Sequence, residues 1–273
     1  MVHVAGSVLD PDLGDHVCLP FDGERERMTV TGVFTVNGLR RRVKVLIMTH
    51  TDTPERTRTW LAPLVPGFAE AESAGRIEIL ACADTHFTGG LLDPARLRAA
   101  LAAARDRAGG HGVYALVDAS WGLGDVPGHA AFEAAVNELF GEGWLAAVCQ
   151  YDRGVFPRDA LEEAAAVHPI APEQALLRFA RAGDGLRVWG DVDLTNRPAF
   201  ASLLRPLVRR PGEVVIDASG LGFIDAGSAQ LLATMAMARP RGTTTVVCRT
   251  PMARVLRLIG ADEHLAVRRA GDD

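Results

Sequence analysis

The sequence predicts an α/β protein of two successive units, each a mainly parallel sheet with helices packed on it. Three observations lead there. Short apolar runs without alternation, such as VKVLIM at 43–48 and VYALV at 113–117, are the pattern of strands buried on both faces. Between them lie stretches with helical periodicity, so that strand and helix alternate and right-handed parallel crossovers are favoured. The alternation breaks once, at His168-Pro169-Ile170-Ala171-Pro172, where two prolines end a helix and mark a domain boundary.

Composition sets the class. The 273 residues suffice for two ordinary domains, and 48% hydrophobic with 23% charged residues describes a globular chain. A net charge of -5 gives no reason to expect nucleic-acid binding, and Arg40-Arg41-Arg42 is too short to reverse that. No apolar run reaches the roughly 20 residues that span a bilayer. The opening residues lack the basic-then-apolar pattern of a secretory leader, so a cytoplasmic location is expected. Cys18, Cys82, Cys149 and Cys248 are dispersed in or beside apolar segments and are expected to be buried thiols.

In chain order, residues 1–14 read as a loose lead-in. Residues 16–21 form a first strand, and Asp22 or Gly23 begins a helix with Glu24 and Glu26 at its positive end. Residues 43–48 are a second strand, 55–64 a helix ended by Pro66-Gly67, and 77–81 a third strand. Asp93-Pro94 opens a helix with Leu97, Leu101 and Ala104 on one side, closed by Gly109-Gly110-His111-Gly112. The strand 113–117 delivers Asp118; a loop over 122–128 leads to a helix over 129–140. The strand 144–149 delivers Tyr151 and Asp152, and 157–167 is the last helix of this half.

A parallel sheet invites a search for a nucleotide site, but the loop after the first strand, Phe21-Asp22-Gly23-Glu24-Arg25-Glu26-Arg27-Met28, contains no GxxxxGK[ST]. Gly32, Gly38 and Gly89-Gly90 do not restore it, so no ATP hydrolysis and no cofactor are expected. His16-Val17-Cys18, Thr53-Pro54-Glu55, Asp118 with Trp121, Asn137, Cys149-Gln150-Tyr151-Asp152-Arg153 with Phe156, and His168-Pro169 come in an order that resembles the MEDS domain (methanogen/methylotroph, DcmR sensory). The resemblance covers about 14–170. It implies a RecA-like fold that has lost its phosphate loop, and a role in sensing small hydrocarbon-derived molecules or relaying signals. Asp118-Ala119 departs from the glutamate-methionine usual before the tryptophan region.

His16, Asp118, Trp121, Tyr151 and Asp152 form a candidate ligand pocket outside the carboxyl ends of the strands, suited to a small, largely apolar molecule. Their structural alternatives are packing for Trp121 and Tyr151, a backbone hydrogen bond for His16 and a helix cap for Asp118. No metal site is expected. His16 and Cys18 lack a second close pair of ligands, and His129 with Glu133, one helical turn apart, reads as a solvated face.

In the second half, 176–180 is a short helix or strand, 186–189 a strand, 197–208 a helix and 214–216 a central strand. A glycine-rich turn over 218–222 follows, and Asp225 caps a helix bearing Leu231, Leu232 and Met235. A strand over 243–248, a helix over 251–258 and a strand over 265–267 close the fold, with a frayed end over 271–273. VVIDASGLGFID and Gly190-Asp191-Val192-Asp193-Leu194 resemble the STAS domain (sulfate transporter and anti-sigma factor antagonist) over about 183–269, without its usual extra opening strand unless 173–179 supplies it.

The STAS resemblance implies docking of an anti-sigma factor kinase or related signalling protein through Asp191, Asp193, Asp225, Gly227 and Ser228. In such antagonists the second serine of Asp-Ser-Ser-Gly is phosphorylated. Here the tetrapeptide is Asp225-Ala226-Gly227-Ser228, which places glycine at that position and makes Ser228 the candidate phosphosite. The expected function is a non-enzymatic signalling regulator, an antagonist-like protein acting in transcription control. The alternative is a small-molecule sensor whose STAS part is only a scaffold or homodimer surface.

Overall fold

The computed structural model describes residues 8–89, 91–124 and 126–271. The first seven residues of the expected lead-in, Gly90, and the end at Asp272 and Asp273 lie outside them. The chain divides into two compact units, 1–165 and 166–273.

The first unit runs β1 (His16–Phe21), α1 (Gly23–Arg40), β2 (Lys44–Thr49), α2 (Pro54–Leu61), α3 (Phe68–Ser73), β3 (Ile77–Ala81) and α4 (Cys82–Thr85). A small hairpin follows, β4 (Phe87–Thr88) and β5 (Leu91–Leu92), then α5 (Pro94–Arg107), β6 (Val113–Asp118), α6 (Val126–Val136), β7 (Leu145–Asp152) and α7 (Arg158–Val167). The main sheet is all parallel with order β1-β7-β6-β2-β3. Every residue of β2 and β6 is buried, which is why these strands read as unbroken apolar runs. The expected helix starts are capped: Thr53 Oγ1 accepts from Arg56 N (3.2 Å), and Asp93 Oδ1 from Ala95 N and Arg96 N (2.9 and 3.1 Å). The helix expected over 129–140 begins earlier, at Val126, and from Asn137 to Glu142 tightens into a 3-10 turn.

Register fixes which side chains share a face. His16 pairs with Ala147, so His16, Ala147, Cys149 and Tyr151 project from one side of the sheet.

The second unit comprises β8 (Leu177–Ala182), β9 (Gly185–Val192), α8 (Arg197–Leu204), β10 (Val214–Ile224), α9 (Ala226–Ala238), β11 (Thr244–Cys248), α10 (Thr250–Leu258) and β12 (Ala266–Arg269). Its order is β12-β11-β10-β9-β8, parallel except that β8 runs antiparallel to β9 through a turn at Gly183, where φ is 56°. One sequence expectation is resolved and another corrected. The opening strand, open in the sequence between absence and an irregular 173–179, is present as β8 at Leu177–Ala182. The glycine-rich segment over 218–222 is not a turn; β10 continues through it to Ile224, with irregularities after Asp217 and after Leu221. Glycine is needed there because β9 lies so close: a β-carbon at Gly220 would sit 2.5 Å from Trp189 Cβ, and one at Gly222 2.8 Å from Asp191 Oδ1.

Gly190 carries φ 94°, and a β-carbon would be driven into the Leu176 carbonyl on the neighbouring strand. Gly183 also has positive φ but faces open space. Gly183→Ala should therefore cost only the roughly 1 kcal/mol of a left-handed alanine, and Gly190→Ala about 3 kcal/mol. Urea denaturation of the full chain checks this; equal costs for the two variants would contradict the placement of Gly190.

Candidate functional site

The first unit holds a buried polar cluster on the face of its sheet beneath α6. Glu133 and His129 are one turn apart on that helix, and both are buried, at 2% and 3% exposure. The sequence reading of this pair as a solvated face is thus overturned. The signal was available: apart from these two, α6 reads VPGAAFAAV and offers no other polar side chain to mark a wet side.

Glu133 divides its oxygens between two sets of partners. Oε1 lies 3.3 Å from His129 Nε2 and accepts from the Tyr151 hydroxyl at 3.3 Å. The same hydroxyl lies 3.0 Å from His129 Nε2. Oε2 lies 3.4 Å from His16 Nε2 and 4.0 Å from Cys149 Sγ, and Cys149 Sγ is 3.5 Å from His16 Nε2. His16 Nδ1 meets the Asn137 side-chain oxygen at 2.7 Å, and its ring stacks on Phe140 at 4.4 Å. An amide oxygen only accepts, so Nδ1 carries the proton and Nε2 is turned towards Glu133 and Cys149. Burial, then the Glu133 charge, pushes the Cys149 thiol and the Tyr151 phenol well up. Cys18, expected as a possible companion of His16, is a buried thiol pushed up by the same causes. The cysteine beside His16 is Cys149 instead. Nitrogen, oxygen and sulfur donors therefore meet at one point and could hold a metal ion.

A cavity of about 30 Å³ adjoins this cluster, lined by His16, Glu133 and Cys149 at one end and by Trp121, His86 and Phe132 elsewhere. Two buried polar atoms of residues that line it, Trp121 Nε1 and His86 Nε2, have no hydrogen-bond partner among the described residues. The Trp121 N–H can only donate. His86 Nδ1 is engaged by Thr85 Oγ1 at 2.9 Å, and burial lowers the His86 pKa to about 4.

The five residues expected to form a pocket are not all brought together. His16 and Trp121 line the cavity, and Tyr151 stands behind Glu133. Asp118 instead accepts from His50 N (3.2 Å) and Thr51 N (2.7 Å) with Oδ2, and from Ser120 N (3.1 Å) with Oδ1. Burial raises its carboxyl, but these bonds outweigh burial and hold it below the usual range. Asp152 accepts from Gly154 N at 2.8 Å and belongs to a turn. His86 was missed, and His129 with Glu133 was noticed but read as a solvated face.

In the second unit, Asp225 caps α9 as expected, accepting from Ser228 N at 2.6 Å. Arg197 joins the two: its Nη2 donates to Asp225 Oδ2 (2.8 Å) and its Nε to Ser228 Oγ (3.2 Å). Burial raises the Asp225 carboxyl, but the bonds from Ser228 and Arg197 prevail and lower it. Ser228 is 0% exposed, whereas Gly227 is exposed beneath the Arg197 guanidinium. Asp193 Oδ1 accepts from Thr195 N at 2.8 Å, and buried Asn196 donates to the Asp191 and Ala175 carbonyls at 3.0 and 2.8 Å. These bonds hold the turn after β9 and leave Asp191 and Leu194 exposed. Phe223, paired in register with Asp191, is exposed too, beside a groove of about 310 Å³ walled by Pro251, Met252 and Val255 of α10.

A parallel sheet without a phosphate loop is followed by a mixed sheet whose helix α9 starts at the Asp225 cap, an α/β protein of two units. A family model described as MEDS, the methanogen/methylotroph, DcmR sensory domain, matches residues 15–169, and the chain belongs to that family. Residues 175–267 match the model described as Mlab, STAS domain, so the MEDS domain is followed by a STAS domain in a signalling protein. No curated protein matches the chain. Among solved structures, a KaiC-like protein of the hyperthermophilic archaeon Pyrococcus horikoshii is 13% identical, with 66% of this chain and 78% of that one covered and a TM-score of 0.45. The flagellar accessory protein FlaH of Methanocaldococcus jannaschii is 8% identical, with 72% and 88% covered and a TM-score of 0.40.

The His86 environment sets a pH dependence. The unfolded chain takes up this proton near pH 6.5 and the folded protein only near 4, so the unfolded state binds more protons between these values. The stability it contributes is complete above about 6.5 and is lost as pH falls towards 4, a change on the order of 3 kcal/mol. His86→Phe should remove that part of the acid sensitivity. Denaturation of both proteins between pH 4 and pH 7 checks this; a stability gap between them that does not change with pH would contradict it.

Proposed function

We propose that this protein is a non-enzymatic signalling regulator. Its MEDS domain binds a very small ligand, and its STAS domain docks a regulatory protein of the anti-sigma factor kinase type. The observation that carries the first part is the cavity lined by Trp121 and His86, whose Nε1 and Nε2 have no hydrogen-bond partner among the described residues. At about 30 Å³ it has room for roughly two waters, or for a ligand of two or three heavy atoms with one polar end. The helix start after β1 gives no support to phosphate chemistry: Glu26 Oε2 accepts from Asp22 N at 2.7 Å, and Glu24 lies 3.8 Å from Arg27. Carboxylates stand where an anion would need donors.

Docking by the second domain is supported by exposed Leu194 and Phe223 beside exposed Asp191, on a turn fixed from below by Asn196. This apolar-acidic pattern suits a partner with a hydrophobic patch rimmed by basic residues. The position that carries the exposed hydroxyl in the antagonists is Gly227, and buried Ser228 already bonds to Arg197. Docking therefore runs without phosphorylation of Ser228.

The test combines the protein with the anti-sigma factor kinases of its own genome and ATP, measuring affinity and mapping phosphosites. Phe223→Glu should weaken binding about tenfold or more, and Ser228→Ala should leave it within about twofold. Phosphate on Ser228, or undiminished binding by Phe223→Glu, would contradict the reading. For the first domain, titration with small one- and two-carbon solutes should quench tryptophan fluorescence in the wild type but not in Trp121→Phe. Quenching that survives in that variant would place the ligand elsewhere.

A further inference from the structure

Glu133, His16 and Cys149 bring three kinds of ligand atom to one place inside the first unit. With Nδ1 donating to Asn137, the His16 Nε2 lone pair faces a carboxylate oxygen at 3.4 Å and a sulfur at 3.5 Å. Imidazole nitrogen, carboxylate oxygen and sulfur thus lie within 4.8 Å of one another, the spacing of a metal-ligand set. All three residues are buried.

We propose that His16 Nε2, Glu133 Oε2 and Cys149 Sγ bind a zinc-class divalent metal ion inside the first unit. Bonds of about 2.0 Å to nitrogen and oxygen and 2.3 Å to sulfur, at tetrahedral angles, separate donor atoms by about 3.3–3.6 Å. The observed edges are 3.4, 3.5 and 4.0 Å. Only the Glu133–Cys149 edge is long, and it has about half an ångström to close.

The surroundings fit the assignment. The Asn137 bond fixes the tautomer that leaves Nε2 as a ligand, and stacking on Phe140 fixes the ring. Glu133 is oriented through its other oxygen by His129 and Tyr151. The donor set of imidazole, carboxylate and thiolate suits a borderline-soft ion such as zinc and not magnesium or calcium. Charge balances as well: one thiolate and one carboxylate neutralise a divalent ion, while the imidazole stays neutral. Binding displaces the Cys149 thiol proton to solvent as the sulfur–metal bond forms. The three donors leave one position of a tetrahedral ion for a further protein donor, a water or a small ligand from the adjoining cavity. This assignment rests on donor geometry and does not depend on docking by the STAS domain.

The experiment uses the full chain, purified, stripped by chelator and reloaded with zinc or cobalt(II). Elemental analysis should give a single tightly held zinc per chain. The cobalt form should show a thiolate-to-metal charge-transfer band with the strong visible absorption of a tetrahedral ion. Glu133→Gln and Cys149→Ser, both near-isosteric, should lower zinc affinity at least about tenfold, and Cys149→Ser should abolish the charge-transfer band. Circular dichroism confirms that each variant is folded. A variant that unfolds is replaced by Asn137→Leu, which leaves all three donors in place and should weaken zinc binding through His16. Failure of the folded wild type to retain zinc would overturn the proposal. So would zinc held equally by the folded variants, or a cobalt spectrum without sulfur character.

Discussion

Glu133 is a carboxylate enclosed in the first unit, and a charge taken out of water costs several kcal/mol unless its surroundings offset it. Much of the unit's internal arrangement follows from that requirement. α6 delivers the group to the sheet face, where β1 and β7 present His16, Cys149 and Tyr151 in register. A glycine at 122 is required because any side chain there would collide with the His129 ring. The 3-10 turn after α6 places Asn137 behind His16 and Phe140 on top of it. Aromatic rings complete the wall: Trp121 meets His129 at 4.6 Å and His86 at 4.9 Å, both edge-on. The polar centre and the apolar cavity are therefore two sides of one packing solution.

The second unit solves a different problem, that of offering a surface. Its turn after β9 and its helix start after β10 are held by internal bonds from Asn196, Asp193, Asp225 and Arg197, which leaves few polar groups there to reorganise on binding. Rigid polar anchoring beneath exposed Leu194 and Phe223 would limit the entropy lost in the docking proposed above.

Much of the fold was legible because its signals are local. The parallel strands show as apolar runs, and Asp93 and Asp225 mark helix starts by the chemistry of unpaired amides. What stayed hidden depends on contacts between distant segments. Gly220 and Gly222 look like turn residues until β9 is seen lying against them. The stretch 176–180 reads equally as helix or strand, because only the antiparallel pairing of β8 with β9 decides between them. His16 was singled out from sequence, but its partners lie more than a hundred residues away at Glu133, Asn137 and Cys149, and no spacing rule joins them. Ser228 illustrates the converse: a single residue's shift along a helix turns a hydroxyl by about 100°, from solvent at 227 to the interior at 228.

The central claim is that His16, Glu133 and Cys149 together bind a divalent metal ion. X-ray absorption at the zinc edge of the reloaded full chain addresses it most directly, because the signal comes only from atoms bonded to the metal. The account predicts a mixed shell, with nitrogen or oxygen at about 2.0 Å and one sulfur at about 2.3 Å. A shell of light atoms alone, as for zinc held at surface carboxylates and histidines, would contradict it.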